Sequence, residues 1–254
     1  MRLTVLGSGT LVPSLRRQPS GYLVEAGEQR ILLDCGSGTL RRLLESGSCA
    51  DQLDLILISH THIDHISELP LLLFSAHYSP CPRQRPLRLA GSTGFAEFFS
   101  ALETFYGEAV DARHYERQVE VLAAGDGLEA GSARIRTAAA RHTASSLAFR
   151  IEQGGCSLVY TGDTEYCEDL VRLARGCDLL LCECSFPDES PAAGHLTPSQ
   201  AGRIAGEAGA RKLMLTHFYP ACEAIDLAAQ VRRAYEGDLV LAEDLLQVSV
   251  GAAP

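Results

Sequence analysis

The chain has no apolar run of the ~18 residues that a membrane-spanning helix needs. Its N-terminus enters Leu3 to Leu6 without the pattern of a secretory signal, so the expected location is cytoplasmic. It lacks a Ser- or Pro-rich linker, a low-complexity tract and a short repeat, which argues against tethered modules or a solenoid. Basic charge is scarce: 22 Lys and Arg stand against 32 Asp and Glu, a net charge of −10. Proteins that depend on many phosphate contacts present a basic patch. Here the short groups Arg16 and Arg17, Arg41 and Arg42, and Arg83, Arg85 and Arg88 read as solvated surface, so broad nucleic-acid binding is not expected.

Nine cysteines are present, but the number is odd and no pair has the two-residue spacing of a zinc knuckle. Most of them read as small buried residues in a reducing compartment. Cys182 and Cys184 flank Glu183 on an apparent strand, which sends the two thiols to one face and the carboxylate to the other. Core packing is the preferred role for the thiols. No GxSxG nucleophile motif occurs, and the turn Gly7, Ser8, Gly9, Thr10 lacks the third glycine of a dinucleotide loop. It reads as a tight turn.

What is there is an ordinary globular composition, 46% apolar over 254 residues. That length is enough for a substantial core, and we expect a single domain over 1–254. Residues 60 to 65 read His60, Thr61, His62, Ile63, Asp64, His65, directly after the apolar run Leu53 to Ile58. Three imidazoles and a carboxylate in six residues suit zinc and its first-row neighbours, and alternate residues leaving a strand can aim two histidines at one ion.

Strand patterns at Leu3 to Leu6, Tyr22 to Glu25, Ile31 to Leu33 and Leu55 to Ile58 alternate with helices at about Thr39 to Glu45, Ser67 to His77 and Thr93 to Tyr106. Short strands fill about Val119 to Tyr160. Helices follow at about Glu165 to Arg175, Pro198 to Ala208 and Ala224 to Tyr235, with strands at Leu179 to Glu183, Lys212 to Thr216 and Leu239 to Leu241. Thr197, Pro198 and Gln200 form a helix-start signal that leaves His195 in the loop ahead of it. The order suits an α/β fold of two βα-rich halves. Three further polar residues stand at strand exits: His142 after Ala138 to Arg141, Asp163 after the strand ending at Tyr160, and His217 after Leu213 to Thr216. Strand exits are where an α/β scaffold assembles a site from distant sequence. With the first cluster they supply five histidines and two aspartates, enough for two metal ions.

This pattern strongly resembles the metallo-β-lactamase superfamily, and within it the ribonuclease Z group and related phosphodiesterases. The residues that carry the resemblance are His60, His62, Asp64 and His65, then His142, Asp163 in TGDT and His217 in LTHF. Leu33 to Gly38 (LDCGSG), Tyr160 to Glu168 (YTGDTEYCE), Glu183 in CECSF and His195 in GHLT also match. The resemblance implies a four-layer αββα sandwich with a two-metal site at one edge, the metals being divalent ions, zinc first, with manganese or iron as alternatives. It implies that His60, His62 and His142 hold one metal, that Asp64, His65 and His217 hold the other, and that Asp163 bridges them. A metal-bound hydroxide would attack the phosphodiester. His195, steadied by Glu183, would donate a proton to the leaving oxygen or stabilise the transition state. A homodimer is also implied.

Two departures narrow the substrate. Bacterial ribonuclease Z carries a long tRNA-gripping arm between the positions of His142 and Asp163, where this chain has only 20 residues. Apparent strands at Ser146 to Glu152 and Cys156 to Tyr160 consume them, with Gly154 and Gly155 as a tight turn. The family stretch DCGEGTQ is here Asp34, Cys35, Gly36, Ser37, Gly38, Thr39, Leu40, one carboxylate and one amide short. The expected activity is therefore phosphodiester hydrolysis on a small or single-stranded substrate, such as a cyclic nucleotide or an RNA end, rather than tRNA processing. The alternatives are a metal-dependent ester, thioester or lactone hydrolase of the same superfamily and a non-catalytic metal-binding protein. A flavin-coupled diiron enzyme fits less well, since that branch has a carboxylate where His62 stands.

Overall fold

The computed structural model describes residues 1–78 and 82–251. Cys81 therefore lies outside the described residues, as do positions 79, 80 and 252–254 of the expected domain. The strands form two seven-stranded sheets. The first contains β1 (Arg2–Gly7), β2 (Gly21–Ala26), β3 (Gln29–Leu33), β4 (Leu55–Ile58), β5 (Leu87–Gly91) and β6 (Arg117–Val121) in sequence order. The second contains β7 (Gly127–Ala130), β8 (Ala133–Ala139), β9 (Leu147–Gln153), β10 (Cys156–Tyr160), β11 (Leu179–Glu183), β12 (Lys212–Thr216) and β13 (Asp238–Leu241), also in sequence order. The last strand, β14 (Gln247–Ser249), returns to pair antiparallel with β1. Each sheet starts antiparallel and continues parallel, through β3, β4, β5 and β6 in one and β10, β11, β12 and β13 in the other.

Period-2 alternation along buried strands sets the layers. Leu3, Val5, Tyr22, Val24, Ile31, Leu33, Leu55 and Leu57 point into the core shared with Ile135, Phe149, Ile151 and Leu158 of the second sheet. Their neighbours Leu6, Leu23, Leu32, Ile56 and Ile58 point the other way, into a second core with the helices α3 (Leu69–Tyr78) and α4 (Thr93–Tyr106). On the far side, α5 (Glu168–Ala174), α6 (Pro198–Ala208) and α7 (Leu227–Val231) bury Leu170, Ile204 and Val231 against the second sheet. The result is a four-layer αββα sandwich. Each fully buried Leu or Ile contributes roughly 1.5–3 kcal/mol of apolar burial.

Helix boundaries differ from expectation in three places. The helix α1 (Thr39–Glu45) has the expected bounds, but the helix expected from Ser67 starts two residues later, as α3, and a short helical turn α2 (Ile63–Ile66) precedes it. Between them the backbone N–H of Glu68 turns away to the carbonyl of Cys35, 2.9 Å away. The expected start of α5 at Glu165 is three residues early, because Glu165 is held as a bridge, its N–H donating to the Arg141 carbonyl at 2.9 Å. The stretch from Ala224 is divided: Pro220–Ala224 is a 3₁₀ turn, and Asp226 caps α7 by accepting from the Ala229 N–H at 3.0 Å. The α6 start is as read, with Gln200 Oε1 accepting from the Thr197 N–H at 2.9 Å. Gly154 and Gly155, with φ of 60° and 79°, join β9 to β10 as a two-residue hairpin turn. Nothing is left between His142 and Asp163 for an arm. Among the described residues no helix is long and apolar enough to cross a membrane.

Candidate metal centre

Every expected site residue comes from the same edge of the sandwich. Asp34, His60, Asp163, Glu183 and His217 stand at or just beyond the C-terminal ends of the parallel strands β3, β4, β10, β11 and β12, and His142 follows β8, which runs the same way. His60, His62, His142 and Asp163 each place a ligand atom within 4.8 Å of the others. Asp64, His65 and His217 do the same, as do Asp163, His195 and His217. Asp163 lies against both clusters, 3.7 Å from His60 Nε2 through Oδ2 and 3.2 Å from His65 Nε2 through Oδ1.

Hydrogen-bond bookkeeping fixes which imidazole nitrogens carry protons. His142 Nδ1 meets the Gly194 carbonyl at 2.8 Å, so Nδ1 donates and Nε2 is bare. Ser59 Oγ donates to Asp34 Oδ2 at 2.7 Å and so accepts from His60 Nδ1 at 3.1 Å. His65 Nδ1 donates to Asp34 Oδ2 at 2.7 Å. Ser185 Oγ donates to Glu183 Oε2 at 2.6 Å and accepts from His217 Nδ1 at 2.9 Å. Each of the four histidines thus turns its Nε2 inward while its outer nitrogen is held, the arrangement that metal-ligating histidines use.

Two further observations test the fit to a cation. His60 Nε2 is buried and has no hydrogen-bond partner among the described residues, a costly state unless something binds it. Burial, then the neighbouring His65, pushes the His60 pKa down to about 2, and burial with His142 lowers that of His62. Neutral imidazoles with free lone pairs are metal ligands. His65 goes the other way: burial opposes its charge, but Asp163 and Asp34 outweigh burial and hold its pKa well above the usual value. The pocket formed by these carboxylates stabilises positive charge. The donor set fits divalent metal.

His195 completes the site. Its Nδ1 lies 3.0 Å from Glu183 Oε1, and Glu183 also accepts from the Thr164 N–H at 2.8 Å. Burial works against protonation of His195, but the Glu183 hydrogen bond and charge raise its pKa above the ordinary value. Phe186 and Tyr219 stack at 4.6 Å and flank the ring.

Two participants were not assigned from sequence. Asp34 is fully buried and accepts from the Ser59 N–H at 2.7 Å, Ser59 Oγ, His65 Nδ1 and, at 2.6 Å, the Tyr160 hydroxyl, so it orients residues of both clusters. Ser185 joins Glu183 to His217. Both stand at strand exits, the same signal that picked out Asp163 and His217. Asp34 and His217 also have positive φ, 55° and 60°, strained backbone of the kind found at functional sites. Gly36 lets this loop approach, since a Cβ there would stand 2.3 Å from the Asp64 carbonyl.

The thiols take no part. Cys182 and Cys184 are buried in the main core while Glu183 reaches the site, and no cysteine belongs to a metal-capable group among the described residues. The Gly7 to Thr10 turn is structural: Ser8 bonds Asp244 through its N–H at 3.0 Å and its hydroxyl at 2.8 Å, and its carbonyl accepts from the Phe218 N–H beside His217.

Comparison with known proteins agrees with this geometry. Residues 29–218 match the profile of the beta-lactamase superfamily domain. The chain belongs to the beta-lactamase superfamily. Within it, the probable metallo-hydrolase YhfI of Bacillus subtilis is 30% identical over 247 residues, covering 96% of this chain and 97% of YhfI. The YhfI crystal structure, described as a metallo-beta-lactamase fold protein, superimposes with a TM-score of 0.85 over 98% of each chain. A ribonuclease Z of Mycobacterium sp. (strain KMS) is 30% identical over 274 residues, covering 98% of this chain and 96% of the relative. The short form of human tRNase Z shares the fold, with a TM-score of 0.79 over 99% of this chain and 100% of that one at 24% identity. These relatives support a metal-dependent hydrolase of the superfamily.

Proposed function

We propose that the chain is a dinuclear phosphodiesterase that cleaves small or single-stranded phosphodiesters in the cytoplasm, working as a homodimer. His60, His62 and His142 would hold one divalent ion and Asp64, His65 and His217 the other, with Asp163 beside both sets; zinc suits the imidazole-rich set best. The chemistry such a pair of ions would supply is a more acidic bound water and neutralisation of charge on the phosphoryl oxygens. Asp163 and Asp64, both kept ionised, balance the positive charge of the centre. His195 carries the proton. With Nδ1 engaged by Glu183, the imidazolium has Nε2–H to give to the leaving oxygen, and Glu183 holds the ring in place as the charge changes.

The observation that carries this reading is the 3.0 Å pair of His195 and Glu183 beside the ligand clusters. A phosphodiester with a poor leaving group needs such a proton donor. The ribonuclease Z relationship supports the same substrate class, while the two-glycine turn in place of an arm supports a substrate smaller than tRNA.

The test is to measure metal content, then assay a bis-aryl phosphodiester, a 2′,3′-cyclic nucleotide, a precursor tRNA and a thioester. Asp64→Ala is expected to abolish phosphodiester turnover, and His195→Ala to reduce it by roughly 10²-fold or more on the 2′,3′-cyclic nucleotide, whose alkoxide leaving group needs the proton, and by less on the bis-aryl ester. Turnover of the thioester alone would instead assign an acyl hydrolase, and equal rates in wild type and Asp64→Ala would overturn the metal mechanism.

A further inference from the structure

A cavity of about 660 Å³ opens directly beside His142, walled by Arg141, Thr143, Glu165, Asp169 and Ala193. We propose that it is a nucleoside subsite that holds one ester substituent of the substrate, with Arg141 as the residue that recognises the bound group. The proposal rests on the phosphodiesterase reading and names its substrate class.

The size is that of a small-molecule pocket rather than of a slot for a methyl ester. It adjoins the ligand clusters through His142, which places it within reach of a substituent on a phosphodiester seated there. The backbone that carries the recognising side chain is held in advance. The Arg141 N–H donates to Thr164 Oγ1 at 2.9 Å, and its carbonyl accepts from the Glu165 N–H at 2.9 Å. Glu165 Oε1 accepts from the Gly194 N–H at 2.8 Å, and Oε2 faces Arg141 Nε at 3.3 Å. That pairing uses Nε and leaves the two terminal nitrogens of an exposed guanidinium as a donor fork on the cavity wall.

Charge decides between ligand classes. Arg141 is countered by Glu165, and Asp169 pairs with Arg172, so the wall has no net positive charge to hold a second phosphate. A donor fork beside carboxylate acceptors suits an uncharged group carrying both acceptors and N–H or O–H donors, which describes a nucleobase with its ribose. Ala139, Ala140 and Ala193 complete the wall with small apolar side chains that leave room for a flat ring.

The test compares thymidine 5′-(p-nitrophenyl phosphate) with methyl p-nitrophenyl phosphate, which share a leaving group and differ in the other substituent. The readout is the ratio of their kcat/KM values. Arg141→Ala is expected to lower the ratio about tenfold, chiefly through KM for the nucleotidyl ester, and Arg141→Lys to restore only part because it lacks the fork. Ala193→Phe, which fills the cavity and keeps the guanidinium, is expected to lower the ratio as well. The exposed Arg141 and Glu165 pair adds little to folding, so the Arg141 variants remain native, and Ala193 is itself exposed. An unchanged ratio in Arg141→Ala and Ala193→Phe, including loss of both activities by one factor, would overturn the subsite. If wild type turns over neither ester, the phosphodiesterase reading fails. The subsite is then judged by calorimetry, from thymidine 5′-monophosphate binding relative to inorganic phosphate. A preference lost in Arg141→Ala supports it, and no preference in wild type rejects it.

Discussion

The two ligand clusters meet at Asp163 but are supported differently. Around His60, His62 and His142 no outer partner is itself an acid: Ser59 Oγ, which donates to Asp34, holds His60, the Gly194 carbonyl holds His142, and His62 is exposed. In the other cluster His65 donates directly to the Asp34 carboxylate, while His217 has a serine relay like that of His60, Ser185 donating to Glu183. An anionic partner makes an imidazole more basic and a better ligand, and burial keeps water from competing. The second cluster is therefore expected to hold its ion more tightly, and the first to be the more exchangeable and the more open to substrate.

The strongest way to break this contrast is to remove what the clusters share. Asp163→Ala is expected to lower occupancy from two metal equivalents to less than one, with activity falling at least ~10²-fold, since loss of a ligand exceeds the 10- to 100-fold cost of losing an outer partner. Elemental analysis after dialysis measures it. Two retained equivalents would show that the clusters do not depend on a bridge.

Asp34→Asn sharpens the contrast. It is expected to weaken the tighter ion roughly 10- to 100-fold in a chelator titration. It also removes charge from an acceptor of four hydrogen bonds, at a cost of about 1–3 kcal/mol in stability. The weaker ion, which feels Asp34 only through Ser59, should shift less. An equal shift of both ions would contradict the ranking.

Metal-stripped protein should separate the clusters by protonation. His65, with its pKa raised by Asp163 and Asp34 against burial, is expected to stay protonated above pH 6.5, while His60 is expected to stay neutral down to far below it. By linkage, His65 stabilises the stripped fold below the unfolded-state pKa of about 6.5 and loses that contribution as pH rises through its raised value. His60 contributes above about 6.5 and loses it as pH falls toward about 2. Nitrogen-15 spectra of the rings give both titrations. Similar pKa values for His60 and His65 would remove the electrostatic difference.

Much of this contrast was legible in the chain, and the unread part has a physical pattern. His60, His62, Asp64 and His65 announce themselves by density, and His142, Asp163 and His217 by following apolar runs. Asp34 follows such a run too, but it accepts hydrogen bonds from residues 25, 31 and 126 positions away, and no local pattern reports those partners. Ser185 is hidden for the same reason, as its partners include His217. The layers follow from alternation in β1 to β4, whereas β14 and the exposed β6 lack a buried pattern and exist through pairing with β1 and β5. Glu165 reads as helix by local pattern because nothing local shows its bridge to Arg141.

The smallest expected effect bears on the first cluster alone. Gly194 has φ +82°, and a Cβ there would stand 2.9 Å from His142 Nδ1. Gly194→Ala therefore strains the backbone by about 1–2 kcal/mol and crowds the nitrogen whose hydrogen bond to the Gly194 carbonyl orients His142. The ring must tilt, and its Nε2 moves away from His62 Nδ1, now 2.9 Å distant. Loss of orientation without loss of the ligand is expected to weaken the more exchangeable ion by about tenfold and to leave the tighter ion unmoved. Chelator titration resolves the two phases. A variant in which only the tighter phase weakens would reverse the assignment of the two clusters, because Gly194 contacts His142 and none of Asp64, His65 or His217.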